Sequence, residues 1–503
     1  MTSPESSKRC RCVVIGSGLA GLAAADVMVN AGWQTTLIDA AGRAGGVIET
    51  IREDGWLIER SADSFLTTRP EALETAVQLG LEDQILPLQA TARRALVLGR
   101  GKLHAVPAGF RLMVPGQLTS LLRSPLLSPL GKLRVACERF VPASKASDES
   151  LEAFAVRRLG REAFERLVQP LCSGIWTANP AKLSMAAALP DFLAMEKQFG
   201  SLRAGEKKRL VTADRREAAA GARYGHFVTL ATGLDTLATR WITSLRARGV
   251  STLQSRVLEI ERRDGFRVEL SPSPATHAAP DPDFAQPLTQ TLEAEAVIIT
   301  APAPRAAGIV RPLSPALAAE LASIEYAGSA IVSLGYPREA ISHPLDAAGL
   351  VIPRQERRQI LAVSFSSSKF AHRAPAGHVL MRVFLGGALD PAAASLDDDT
   401  LVQRATQEVG QLLGAHGRPS LVRVARWEGA MPQYHLGHVE RFSRIKQLVA
   451  EVPGCGIAGA ALEGVGIPQV IASGRAAAEQ AMTTSSSCRP SREPRLPSSS
   501  SSF

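Results

Sequence analysis

Two groups of glycines, one near each end of the chain, have the types and spacing to hold a phosphate-bearing ligand. Near the start, Val13-Val14-Ile15 leads into Gly16-Ser17-Gly18-Leu19-Ala20-Gly21, and Asp39 follows eighteen residues after Gly21. In such a cradle Gly16 permits the tight turn out of a strand, Gly18 lets backbone approach a pyrophosphate, and Gly21 lets the helix pack close to the strand. The helix N-terminus then offers free N–H groups and partial positive charge to the phosphates. Asp39 at a strand end can accept ribose hydroxyls, and it disfavours a ligand with a 2′-phosphate. Directly afterwards comes Gly42-Arg43-Ala44-Gly45-Gly46, where the backbone wraps the pyrophosphate from another side with Arg43 available to neutralise it. Near the finish, Gly459-Ala460-Ala461 leads into Gly464-Val465-Gly466-Ile467-Pro468, a glycine-rich segment that returns to the cofactor. Nicotinamide enzymes usually complete their cradle in one continuous domain; a chain that begins and ends on the cofactor is more typical of flavin enzymes.

The elements that must position these residues follow from pattern. Residues 11–66 read as strand, helix from about Gly18 to Asn30, strand from Trp33 to Asp39, glycine turn and hairpin, with Gly32 closing the helix. Leu96-Val97-Leu98 and Leu103-His104-Ala105-Val106 read as a short hairpin. Residues 111–200 read as mainly helical. Ser147 is the expected N-cap of a helix ending at Gly160, and Phe164, Leu167, Val168 and Leu171 recur on one helical face. Residues 225–300 return to strands at 256–260 and 296–300, separated by a Pro-, Ala- and Ser-rich insertion at 271–290. Several strands and one long helix near 396–414 are expected in 311–424.

The 503 residues are too many for one ordinary core, so two or three domains are expected. The formal charge is +9, but seven of those units fall in the N-terminal tail, in 204–224 and in the C-terminal tail. The folded body is close to neutral, which argues against a nucleic-acid partner. The six cysteines are scattered and read as reduced thiols of a cytoplasmic protein. Neither they nor the nine histidines show metal-ligand spacing, so no metal is expected. His435 and His438, three apart, read as structural hydrogen-bonding groups. No uncharged apolar stretch is long enough to span a bilayer.

Arg43-Ala44-Gly45-Gly46 followed by Asp54-Gly55-Trp56-Leu57-Ile58-Glu59 resembles the start of the glutathione-reductase-like flavoproteins, which include amine oxidases and phytoene desaturases. Gln169-Pro170-Leu171-Cys172-Ser173-Gly174-Ile175-Trp176 with Lys182-Leu183-Ser184-Met185 narrows the resemblance to the oxygen-dependent protoporphyrinogen oxidases. So do Gly349 to Pro353, Ser366 to Phe370, Arg373-Ala374-Pro375, Pro432-Gln433-Tyr434, Gly437-His438-Val439-Glu440 and the closing Gly464-Val465-Gly466, in that order. The resemblance covers about residues 11–482. It implies an α/β (α+β) multidomain fold: a glutathione-reductase-like FAD-binding Rossmann domain from 11–66, 225–310 and 425–482, a mixed-sheet substrate domain from 67–110 and 311–424, and a helical membrane-binding domain at 111–203. A mobile loop at 204–224 and disordered tails at 1–10 and 483–503 complete the expectation.

The resemblance implies non-covalent FAD that removes six hydrogens from a porphyrinogen in three two-electron rounds, with dioxygen as final acceptor. Carried over by position, the FAD contacts are Gly16, Ser17, Gly18, Leu19, Ala20, Gly21, Asp39, Ala40, Arg43, Gly45, Gly46 and Val47. Ser61, Ala62, Asp63, Ser64, Val257, Ala460, Val465, Gly466 and Ile467 complete the set. The substrate pocket would draw on Gly174, Val351 and Phe370. Two departures stand out: Ser61-Ala62 replaces the family's Gly-Pro, and the family's propionate-pairing arginine aligns on Ala95. Arg94, one residue earlier, is the candidate for that role, although a one-residue slip in a strand turns a side chain to the other face.

Hydride loss from an electron-rich porphyrinogen needs little acid–base machinery, so no catalytic triad is required and the flavin carries the chemistry. Protoporphyrinogen IX is the leading substrate and coproporphyrinogen III, with four carboxylates instead of two, its rival. A flavin amine oxidase or desaturase, or a non-catalytic flavin- or porphyrin-binding protein, are the other readings. Leu- and Pro-rich residues 106–136 carry Arg111, Arg123, Lys132 and Arg134, a composition suited to peripheral contact with the cytoplasmic face of an anionic membrane. Homodimerisation is left open.

Overall fold

The structure, a computed structural model, describes residues 9–212, 227–272, 281–287 and 289–485. The strand Arg11–Ile15 pairs in parallel with Gln34–Asp39 on one side and Ala296–Ile299 on the other. Ser251–Gln254 and Cys455–Ile457 add the two edges, giving a five-stranded parallel sheet drawn from three distant stretches of chain. Its central strands, Arg11–Ile15 and Ala296–Ile299, are nearly continuous buried runs rich in Val and Ile, as a sheet covered on both faces demands. The helix Leu19–Asn30 covers one face, and the C-terminal helix Ile467–Thr484 lies against it. Contact is close because Gly474 has no side chain: a Cβ there would stand 2.1 Å from the Ala20 carbonyl oxygen. The two ends of the chain therefore meet on one sheet.

A second, seven-stranded mixed sheet contains the hairpin Leu96–Gly99/Lys102–Ala105 and strands Tyr326–Pro337, Gly349–Val351, Ala362–Ser364, His378–Gly386 and Leu421–Pro432. Leu421–Pro432 crosses the boundary expected at 425; its whole length lies in this sheet, because register along Tyr326–Pro337 continues past that point with one bulge. The helix Asp398–Leu413 is capped by the Asp397 carboxylate.

The third layer is helical, from Leu118–Arg123 to Leu202–Thr212. The helix ending at Gly160 starts at Ser150, whose Oγ accepts the Ala153 N–H, three residues later than the Ser147 expected from sequence. Phe164–Val168 is a π-helical turn, which keeps Phe164, Leu167, Val168 and Leu171 buried but adds a residue to the spacing. Residues 204–212 are helical where a mobile loop was expected; 213–226 lie outside the described residues, as do 273–280 of the expected insertion and tail residues 1–8 and 486–503. Cys12, Cys137 and Cys455 are free thiols, but Cys10 is disulfide-bonded, against the expectation of uniformly reduced cysteines. No described helix is long and apolar enough to cross a membrane. Leu122, Leu130, Leu133 and Phe140 nonetheless stand exposed on this layer.

Candidate functional site

The first strand ends at Gly16, with φ +101°, and the Gly16 N–H donates to the Ile38 carbonyl at 2.7 Å. A Cβ on Gly16 would meet Thr300 Oγ1 at 2.7 Å; that hydroxyl bonds the carbonyls of Ile15 and Gly16. A Cβ on Gly21 would stand 1.8 Å from the Gly16 carbonyl oxygen, so the helix lies as close to the turn as glycine allows. Gly18 differs: its added Cβ would meet one atom alone, Gly46 Cα at 4.0 Å, so nothing crowds the turn at this point. Gly18 is also the N-cap of the helix, with no side chain capping the first amides. An uncrowded turn with uncapped N–H groups fits a pyrophosphate. Leu19 and Ala20 are buried beneath the turn.

The second glycine pair closes over the first. Gly18 and Gly45 form a parallel bridge, the Gly45 N–H donates to the Ser17 carbonyl at 2.8 Å, and Ser17 Oγ donates to the Arg43 carbonyl at 2.7 Å. Gly45 and Gly46 both have positive φ. The Arg43 guanidinium donates to the carbonyls of Ala44, Gly46 and Ile48 and pairs with Glu49. Arg43 therefore braces this loop, a role that spacing alone did not show. Asp39 accepts the N–H of Ser17 on one carboxylate oxygen and that of Ala41 on the other, each at 2.8 Å. Both oxygens keep a lone pair for ribose hydroxyls. Ala40 stands exposed beside it.

From Gly46 the chain presents Val47, half-exposed, whose carbonyl accepts Ser61 Oγ at 2.5 Å. Ala62 packs against the core of the parallel sheet. Asp63 and Ser64 lead to a buried ionic cluster. Lys369 Nζ donates to both Asp63 oxygens, at 2.8 and 2.7 Å; Ser64 Oγ donates to the same carboxylate, and Arg382 lies 3.7 Å away. Burial alone would raise the Asp63 carboxyl, but Lys369 and Arg382 outweigh it and hold it below the usual carboxylate range. Close by, Glu59 is buried; desolvation raises it, against bonds from Thr50 and the Leu234 N–H. Sequence reading missed Lys369 and Glu59, because their partners are distant in the chain.

The C-terminal segment completes the cradle. The Ala458 N–H donates to the Ile299 carbonyl, Gly459 turns with φ +127°, and Gly464 with φ +154° precedes the helix capped at Gly466 without a side-chain cap. Ala460, Val465 and Gly466 are partly exposed, and Ile467 is buried. Val257 is buried in its strand, and its carbonyl accepts from Arg305.

The substrate-side residues divide. Gly174, exposed on the helix Gln169–Trp176, faces Val351: a Cβ on Gly174 would meet Val351 Cγ1 at 3.9 Å. Ile175 is exposed beside it, and Val351 and Val465 pack against the same helical core. This is an apolar wall running towards the C-terminal glycine loop. Phe370 is 1% exposed and packs with Leu88, Ala92 and Ala348. Arg94 is placed elsewhere. Its guanidinium bonds the carbonyl and pairs with the carboxylate of Asp346, while Ala95 is buried. Alternation sets Arg94 on the face of Leu96 and opposite Val97, which shares the helical core with the Val351 wall. Among the described residues no cluster of three or more His, Cys, Asp or Glu could hold a metal.

The model of the flavin containing amine oxidoreductases matches residues 19–482. The chain is 33% identical to the coproporphyrinogen III oxidase of Bacillus subtilis over 479 residues, 94% of this chain and 97% of that protein. It is 32% identical to the chloroplastic protoporphyrinogen oxidase of Nicotiana tabacum over 456 residues, 86% of this chain and 78% of that protein. A crystal structure from Exiguobacterium sp. 255-15, assigned provisionally as a protoporphyrinogen oxidase, superposes with a TM-score of 0.79 at 29% identity, covering 94% of this chain and 98% of that one. With an uncapped helix end, an uncrowded turn at Gly18 and a carboxylate at the strand end, the chain belongs to the flavin containing amine oxidoreductase family and is an FAD-dependent oxidoreductase.

Proposed function

We propose that this protein oxidises a porphyrinogen to a porphyrin in haem biosynthesis, with dioxygen as the final acceptor. Gly18, Gly46 and the N-termini of the helices at Leu19 and Ile467 would hold the FAD phosphates, Asp39 the adenosine ribose, and Val47, Ser61 and Val465 the remainder. Bound FAD supplies the two-electron acceptor for hydride. The chain's own task is then placement: an apolar wall for a puckered macrocycle, and a fixed angle between that wall and the cradle.

The observation that carries this reading is the approach of Gly174 to Val351. The two come so close that a Cβ on Gly174 would already touch Val351, and with exposed Ile175 and partly buried Val351 and Val465 they form an apolar face against which a flat apolar body can lie. Between the two porphyrinogens, protoporphyrinogen IX is the first reading, because the residues found on the wall are apolar. The B. subtilis relative's name favours coproporphyrinogen III as the second. The FAD-loaded protein should be given each porphyrinogen in air and kcat/KM compared from porphyrin fluorescence. A ratio above ten for protoporphyrinogen supports the first reading and the inverse supports the second; no turnover of either overturns both. Peripheral attachment on the cytoplasmic face is also proposed, through Leu122, Leu130, Leu133 and Phe140 with neighbouring Arg123 and Arg139. Sedimentation with anionic vesicles tests it.

A further inference from the structure

The segment Pro432 to His438 remains unexplained by the chemistry above, yet it touches all three layers. Tyr434 and His438 are each 2% exposed, and their rings stack with centroids 4.3 Å apart and planes 19° from parallel. Both aim their polar atoms at the C-terminal glycine loop. The Tyr434 hydroxyl donates to the Ala460 carbonyl at 2.5 Å. His438 Nε2 lies 2.9 Å from the Leu462 carbonyl. A carbonyl only accepts, so Nε2 carries the proton and Nδ1, which has no hydrogen-bond partner among the described residues, is bare. Two carbonyls of the loop, those of Ala460 and Leu462, are thus held by two stacked rings.

The same segment is fixed from the other sides. The Gln433 N–H donates to the Glu325 carbonyl at the start of the mixed sheet. The Ser184 N–H donates to the Tyr434 carbonyl at 2.8 Å, the Leu436 N–H to the Lys182 carbonyl, and Leu183 bridges His435. Ser184 is itself the N-cap of a short helix, and its Oγ donates to Asp148. The loop at 460–466 carries no regular hydrogen-bond ladder, so its shape depends on what grips it.

We infer that Tyr434 and His438 are positioning residues that clamp the 460–466 loop in its cofactor-binding shape and tie it to the helical layer carrying Gly174. The inference rests on that loop facing FAD and not on which substrate is oxidised, so its failure is distinguishable from failure of the proposed reaction.

The test is titration of flavin-free protein with FAD, followed by flavin fluorescence, beside melting of the flavin-free form. Tyr434→Phe removes the hydroxyl and keeps the ring. His438→Phe keeps a stacked ring and removes the Nε2 donor. Each should weaken FAD binding about tenfold, the scale of losing a buried hydrogen bond. The double variant should lose less than the product of the two, because both act on one loop. His438→Gln, which restores an N–H donor, should recover part of the affinity. Unchanged FAD affinity in both single variants overturns the inference, as does a melting loss with affinity intact, which would make the pair a general packing feature. If Tyr434→Phe does not fold, His438→Phe and His438→Gln decide alone.

Discussion

The backbone N–H of Ser17 donates to the Asp39 carboxylate at 2.8 Å, locking the glycine turn to the end of the second strand. In the proposed site Asp39 has two functions at one place: it shapes the glycine turn and would accept the ribose hydroxyls. Asp39→Ala removes both and leaves the N–H groups of Ser17 and Ala41 without their acceptor. FAD affinity should fall roughly tenfold or more, seen as loss of the 450 nm band on dialysis. Full retention of flavin would contradict this placement.

Gly18 and Gly21 predict opposite failures. The Cβ of Gly18→Val would make only an ordinary contact with Gly46 Cα at 4.0 Å, so the protein should melt close to wild type yet bind no FAD. Gly21→Ala puts a methyl 1.8 Å from the Gly16 carbonyl, so it should lower the melting temperature itself. Melting curves of the flavin-free proteins beside FAD titrations distinguish the two.

Gly174→Leu should crowd the apolar face at Val351 without touching the cradle. The expected result is a fall of about tenfold or more in kcat/KM, carried mainly by KM, with flavin content and visible spectrum unchanged. A variant with normal KM would remove Gly174 from the substrate wall.

Lys369→Met leaves Asp63 buried with its closest counter-charge gone. The cost should be about 3–5 kcal/mol in unfolding free energy, with Lys369→Arg milder. The folded Asp63 carboxyl lies below its unfolded value. Its contribution is therefore complete above the ordinary carboxylate range and is lost as pH falls through the lower, folded value. Wild type and Lys369→Met should converge in stability in strong acid and differ fully at neutral pH, as denaturant titration at several pH values will show.

What the sequence made legible follows the length of the interactions. The turn Gly16–Gly21, Asp39 at its strand end and the hairpin Thr50–Glu59 rest on local backbone demands and could be read without knowing the fold. Family resemblance placed Gly174 and Val351 in one pocket, and the fold brings them together across 177 residues. The start of the helix at Ser150 was missed because Ser144, Ser147 and Ser150 all offer a capping hydroxyl, and only the fold selects one. The pair of Arg94 with Asp346, the Lys369–Asp63 bond and the Tyr434–His438 clamp depend on segments tens to hundreds of residues away, and the brace formed by Arg43, though its partners lie within six residues, depends on which way the side chain turns. A one-residue change of face was enough to take Arg94 off the wall.

The most direct test of the account is anaerobic mixing of the FAD-loaded protein with protoporphyrinogen IX or coproporphyrinogen III while absorbance at 450 nm and porphyrin fluorescence are recorded together. The account predicts that the flavin band bleaches as fluorescence rises with at least one of the two, and that admitting air restores the band. A yellow protein whose band and fluorescence stay constant with both porphyrinogens would contradict it.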